Sequence, residues 1–145
     1  MGRMSTKYRV QNPKNNEIVE SFDFITDDEL ETALATANDT FKQWREKSFE
    51  ERAEVLRKVA KLFDEQRAEL TRIIAEEMGK SVKEGDGEIN DVVEIFNYYA
   101  DNGAEFGADE EIPNQRGGTS VMRKVPLGVI LGIMPWNFPY YQVAR

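Results

Sequence analysis

The spacing of apolar positions changes several times along the chain, and each change marks an element. Tyr8–Val10 and Glu17–Phe24 are short β-like runs on either side of QNPKNN, residues 11–16. Proline presets a turn dihedral and asparagine tolerates one, so this segment predicts an N-terminal hairpin or a pair of short edge strands. From Leu30 the period lengthens, and Leu30, Ala33, Leu34, Ala37 and Phe41 recur at helical spacing. Ala53, Leu56, Ala60 and Phe63 do the same, flanked by Val55, Val59 and Leu62. That pattern continues through Leu70, Ile73, Ile74 and Met78 to Gly79, a residue suited to ending a helix in the left-handed conformation. Ile89, Val92, Val93, Phe96, Tyr99 and Phe106 carry a third apolar face. Each helical run opens on a capping box: Thr26 with Glu29, Ser48 with Glu51, Ser81 with Glu84. In such a box the hydroxyl accepts from the N3 amide and the N3 glutamate reaches back to the cap. Gly85 and Gly87 weaken the first turns of the third run.

After the helices the pattern turns to strands. Residues 107–118 read as a loop, and Thr119–Val125 alternates as a strand does. Pro126-Leu127-Gly128 breaks it. Val129–Met134 is a continuous apolar run, the signature of a strand buried on both faces. Pro139 is placed to be the first residue of a new helix. A strand of that kind needs partners and covering helices, so on these residues alone the run is expected to expose a contiguous apolar patch. No repeat or low-complexity tract is visible.

Composition narrows the function classes. The 145 residues are 40% hydrophobic and 32% charged, with 19 basic and 27 acidic side chains and a net charge of -8. That balance suits a globular domain with a core and opposes binding to nucleic acid or to an anionic membrane surface. The charge is unevenly placed: residues 119–145 carry Arg123, Lys124 and Arg145 and no acid. There is no cysteine and no histidine. Within these residues this excludes disulfides, thiolate and imidazole metal sites, a cysteine nucleophile and a Ser-His-Asp triad. No signal peptide is visible in MGRMSTKYRV, and the longest apolar run is too short to span a bilayer. A cytoplasmic setting is the expectation.

Candidate chemistry collects near the end of the chain. Asn137 follows the expected strand and precedes the helix-starting Pro139. In open α/β sheets ligands sit at the carboxyl ends of strands. A carboxamide there can donate N–H groups to an oxygen that develops negative charge; equally, asparagine is a favoured N-cap. Ile133, Met134 and Pro135 could offer backbone groups to a ligand, or could simply end a strand. Trp136 could wall a cofactor cleft or staple strand to helix. Arg145 lies eight residues beyond Asn137, about 12 Å along a helix, so amide and guanidinium could hold the two ends of a short dicarboxylic semialdehyde. Alternatively Arg145 is solvated or stacks on Tyr141. The many glutamates read as solvated faces. No Gly-x-Gly-x-x-Gly and no Walker loop is present.

PLGVILGIMPWNFPYYQVAR resembles the aldehyde dehydrogenase superfamily in the segment leading into its cofactor-binding domain. NPKNNEIVESF resembles that family's opening strand pair. The stretch from FKQWREKSFEERAEVLRKVAKLFDEQ to EEMGKSVKEGDGEI resembles its N-terminal helices. FNYYADN followed by MPWNFPYYQVAR is most similar to bacterial succinate-semialdehyde dehydrogenases. The resemblance implies an α/β fold with a Rossmann-type cofactor domain, of which these residues form a mostly α-helical part with a few short strands. It divides the chain into a strand pair and helices of the cofactor-binding domain (1–118), a strand of the oligomerisation flap (119–126), and the first strand and helix start of the dinucleotide-binding sheet (127–145).

It also implies the oxidation of an aldehyde, with succinate semialdehyde the candidate, to a carboxylate with NAD or NADP. Asn137 matches the family asparagine that holds the oxyanion of the thiohemiacetal. Ile133, Met134, Pro135, Trp136 and Asn137 match the segment lining the nicotinamide side of the cofactor cleft. Arg145 matches an arginine that binds the substrate's distal carboxylate. Family members are several times longer, and their nucleophilic cysteine lies downstream of the segment matched here. These residues are therefore expected to be the N-terminal part of such an enzyme, not competent alone, from a homo-oligomer in the full-length form. The alternative is a non-catalytic helical module that pairs with intact subunits.

Overall fold

The computed structural model describes residues 8–115 and 117–145. Strands β1 (Tyr8–Gln11) and β2 (Ile18–Phe22) pair antiparallel, Tyr8 opposite Phe22, with a register shift after Val10. Their connection is the expected turn: the Asn12 side-chain oxygen accepts from Lys14 N, and Asn16 N donates to Asn12 O. Asn16 supplies the positive φ of 61°.

Four helices follow in succession: α1 (Asp27–Trp44), α2 (Phe49–Glu65), α3 (Arg67–Met78) and α4 (Val82–Phe106). All three capping boxes form as expected, at Thr26, Ser48 and Ser81. The single long pattern from Ala53 to Met78, however, is two helices. Gln66, at φ -97° and ψ 10°, leaves the helical region between them. Arg67 stands at the break, its guanidinium shared between Asp64 of α2 and Asp86 of α4. The break lets α2 and α3 each pack on α4. Gly79 ends α3 at φ 78°, and its N–H donates to Ala75 O.

The core lies where α2, α3 and α4 meet. Ala53, Ala60, Ile74, Ile89, Val92 and Ala100 are buried there. Gly85 is buried in the first turns of α4, opposite Thr71 of α3. A Cβ on Gly85 would stand 3.2 Å from Thr71 Cγ2, so the glycine that costs helix propensity permits the close α3–α4 approach. Helix α1 buries none of its residues; Leu30 and Leu34 of its apolar stripe are 44% and 50% exposed.

Residues 107–118, expected to be a loop, contain strand β3 (Glu110–Ile112). It pairs antiparallel with β4 (Ser120–Met122), the centre of the expected Thr119–Val125 strand. Val129–Met134 differs more. The residues belong to no sheet, and Leu131 and Ile133 are each 84% exposed. A strand exists only by pairing with a neighbour, and the described residues provide none. Helix α5 (Pro139–Ala144) starts at Pro139, as its position suggested. Among the described residues no helix is long and apolar enough to cross a membrane.

Candidate active site at the start of helix α5

Asn137 lies in the turn that leads into α5, and its side chain is exposed. It is not the cap of that helix. Phe138 occupies the N-cap position, with no side-chain cap bond. Among the described residues the Asn137 carboxamide has no hydrogen-bond partner, so both of its N–H donors are available. Ile133, Met134, Pro135 and Trp136 precede it in an open segment, with Trp136 77% exposed.

The turn is held by residues far away in sequence. Glu88, in the buried stripe of α4, points its carboxylate at the start of α5. Its Oε1 accepts from Tyr140 N at 2.9 Å and from Tyr141 N at 3.0 Å. Its Oε2 accepts from Lys80 Nζ at 2.6 Å, and both side chains are almost fully buried. The same ammonium lies 3.6 Å from the Phe138 ring centroid. Tyr140 packs edge-on against Phe63 of α2. Burial, followed by the carboxylates of Glu77, Glu88 and Glu69, raises its phenol above the ordinary tyrosine value.

The expectation that the glutamates are solvated therefore fails at Glu88. A signal was present in the sequence: Glu88 sits beside Ile89, three after Gly85 and four before Val92, on the apolar face of α4. Lys80, directly after the helix-ending Gly79, carried no such mark.

The expected site residues do not share one hollow. Arg145 lines an open depression of about 590 Å³ with Asp91, Glu94, Ile95, Tyr98, Tyr99 and Tyr141. Its guanidinium carbon is 5.9 Å from the Tyr141 ring centroid, the stacked arrangement. Trp136 lines another hollow, of about 420 Å³, with Pro139, Tyr140 and residues of β1 and α3. Asn137 lines neither. Among the described residues no group of acidic, histidine or cysteine side chains is placed to hold a metal ion.

The family model described as "Aldehyde dehydrogenase family" matches residues 2–145. The chain belongs to the aldehyde dehydrogenase family. It is 36% identical over 143 residues to the succinate-semialdehyde dehydrogenase [NADP(+)] of Deinococcus radiodurans, covering 99% of this chain and 30% of that protein. It is 37% identical over 136 residues to succinate-semialdehyde dehydrogenase [NADP(+)] 1 of Mycobacterium tuberculosis, covering 92% and 30%. Among solved structures, the succinic semialdehyde dehydrogenase of Streptococcus pyogenes in complex with NADP+ superposes with a TM-score of 0.89 at 36% identity, covering 94% of this chain and 30% of that one. A betaine aldehyde dehydrogenase of Staphylococcus aureus in complex with NAD+ superposes with a TM-score of 0.85 at 28% identity, covering 95% and 28%. The chain thus spans about 30% of the length of these relatives.

Proposed function

We propose that this chain forms the part of an NAD(P)-dependent aldehyde dehydrogenase that supplies the oxyanion-binding amide, with succinate semialdehyde as the substrate. The reading rests on Asn137: an exposed, unpartnered carboxamide at the start of a helix whose first amides are already satisfied. As an aldehyde carbon is attacked, its oxygen gains negative charge. An N–H donor already in place needs no reorganisation at that moment, and one such donor is worth roughly 10²–10³ in kcat.

Ile133, Met134, Pro135 and Trp136 would form the wall against which a nicotinamide ring lies. Their fit is to that end of the cofactor alone. Exposed apolar side chains suit a flat ring, whereas the sequence holds no glycine-rich phosphate loop. When bound, the nucleotide supplies the hydride acceptor. NADP is favoured over NAD by the names of the relatives that match. Arg145, drawn from its stack on Tyr141, would pair with the distal carboxylate of succinate semialdehyde. The thiol that the family's covalent step requires is not among these 145 residues, so turnover needs more than them. The exposed β3–β4 hairpin would serve as the oligomerisation flap, in a cytoplasmic homo-oligomer.

The test is NADP+ reduction by succinate semialdehyde, measured with the natural polypeptide that carries these residues. N137A lowers kcat by roughly 10²–10³ with little change in nucleotide binding. R145M raises KM for succinate semialdehyde and leaves an uncharged aldehyde of similar length unaffected. Unchanged kcat in N137A overturns the reading.

A further inference from the structure

Helix α5 cannot hold itself. It has only six residues, and a helix that short is not stable in isolation. Its first-turn donors can be counted completely. Pro139 has no N–H. Tyr140 N and Tyr141 N both go to Glu88 Oε1. Gln142 N goes to Phe138 O at 3.0 Å. The N-cap residue, Phe138, has no side-chain acceptor, and Asn137 makes no cap bond. The cap of this helix is a side chain 52 residues away in sequence.

The charge is suited to the place. A carboxylate at a helix N-terminus meets the positive end of the helix dipole, and hydrogen bonds to an ionised acceptor are the strong ones. Lys80 closes the arrangement from the other side, taking Glu88 Oε2 and lying against the Phe138 ring. Of the four residues that follow Asn137, only Pro139 is untouched by this pair, and its own ring fixes φ. A buried ion pair is weak evidence for stability, since apolar replacements of similar volume are often as stable. Here its geometry, with one carboxylate oxygen on the two α5 amides and the other on Lys80, points to another role.

We propose that Glu88, held by Lys80, is a positioning residue for Asn137: it caps α5 from α4 and so sets where the carboxamide stands. That consequence for catalysis rests on the reading of Asn137 given above; the capping itself does not.

Amide hydrogen exchange of this chain, followed by ¹⁵N NMR, tests it without aldehyde or nucleotide. Phe49 and Glu50, at the equivalent first turn of α2, have no side-chain acceptor among the described residues and give the reference. In the wild type, the Tyr140 and Tyr141 amides exchange more slowly than those of Phe49 and Glu50. E88A accelerates their exchange roughly tenfold or more, while E88Q, which keeps an acceptor oxygen, restores most of the protection. In K80M the two amides stay protected, but the heteronuclear NOE falls at Asn137 and Phe138, whose ring has lost its cation. Should E88A fail to fold, the wild-type comparison and the E88Q and K80M variants still decide the matter. Tyr140 and Tyr141 amides exchanging as fast as Glu50 in the wild type overturn the proposal, as does an unchanged NOE at Asn137 in K80M. Fast exchange would refute the positioning role and leave a kcat loss in N137A standing. Slow exchange with full activity in N137A would do the reverse.

Discussion

Removing the ammonium of Lys80 is the most informative single change to stability. The Lys80 side chain is 6% exposed and that of Glu88 0%, with 2.6 Å between Nζ and Oε2. K80M keeps most of the aliphatic stem and the volume, so packing changes little. What changes is that the Glu88 carboxylate stays buried with two backbone donors and no counter-charge. Breaking a buried pair from one side typically costs about 3–5 kcal/mol. The contact with the Phe138 ring, which for a desolvated cation is worth roughly 2 kcal/mol, goes with it and is part of that total rather than an addition. Domains of this kind are stable by about 5–15 kcal/mol, so K80M would remove roughly a fifth of the total or more. Urea denaturation followed by far-UV circular dichroism reads this directly, since the signal is almost all helical. The double variant K80M/E88Q is the control. With no charge left to compensate, it should recover most of the loss, and the difference measures the coupling between the two groups. A K80M protein within about 1 kcal/mol of wild type would refute this, and would mean that water reaches the pair and screens it.

Two further outcomes follow from single groups. Thr71 is 5% exposed, and its Oγ1 has no partner among the described residues. T71V, nearly the same in shape, should raise the urea midpoint by an amount equivalent to about 1 kcal/mol, and a lowered midpoint would reveal a partner for the hydroxyl. Glu51, bonded first by Lys47 and then by the Ser48 backbone, has its pKa lowered from 4.5 to about 2. A carboxylate depressed by folding stabilises fully above its unfolded value and loses that contribution as pH falls through the folded one. The α2 cap should therefore weaken between pH 4.5 and about 2. Carboxyl ¹³C titration checks this, and an ordinary Glu51 midpoint would refute it.

Local chemistry was fully readable in the residues. The boxes at Thr26, Ser48 and Ser81 each join groups three positions apart, so their spacing alone specifies them. Gly79 and Pro139 stop and start helices because their own φ preferences do so. The family could be read from PWNFP and its surroundings, and so could the choice of Asn137 as the residue to watch. The open state of its carboxamide could not, since an asparagine before a helix is just as apt to cap it.

What tertiary structure alone decided involves partners that no local pattern names. Gln66 interrupts a continuous apolar stripe without glycine or proline, because α2 and α3 must each meet α4. Glu110–Ile112 became a strand because Ser120–Met122 was there to pair with it. Val129–Met134 has the composition of a buried strand and forms none here, because ladder hydrogen bonds require a neighbour. Glu88 has the composition of a surface residue and is buried, because Lys80 and two amides more than fifty positions on converge on its two oxygens. Backbone preferences and short-range hydrogen bonds are properties of the sequence itself, whereas burial and charge compensation exist only once distant segments share the same volume.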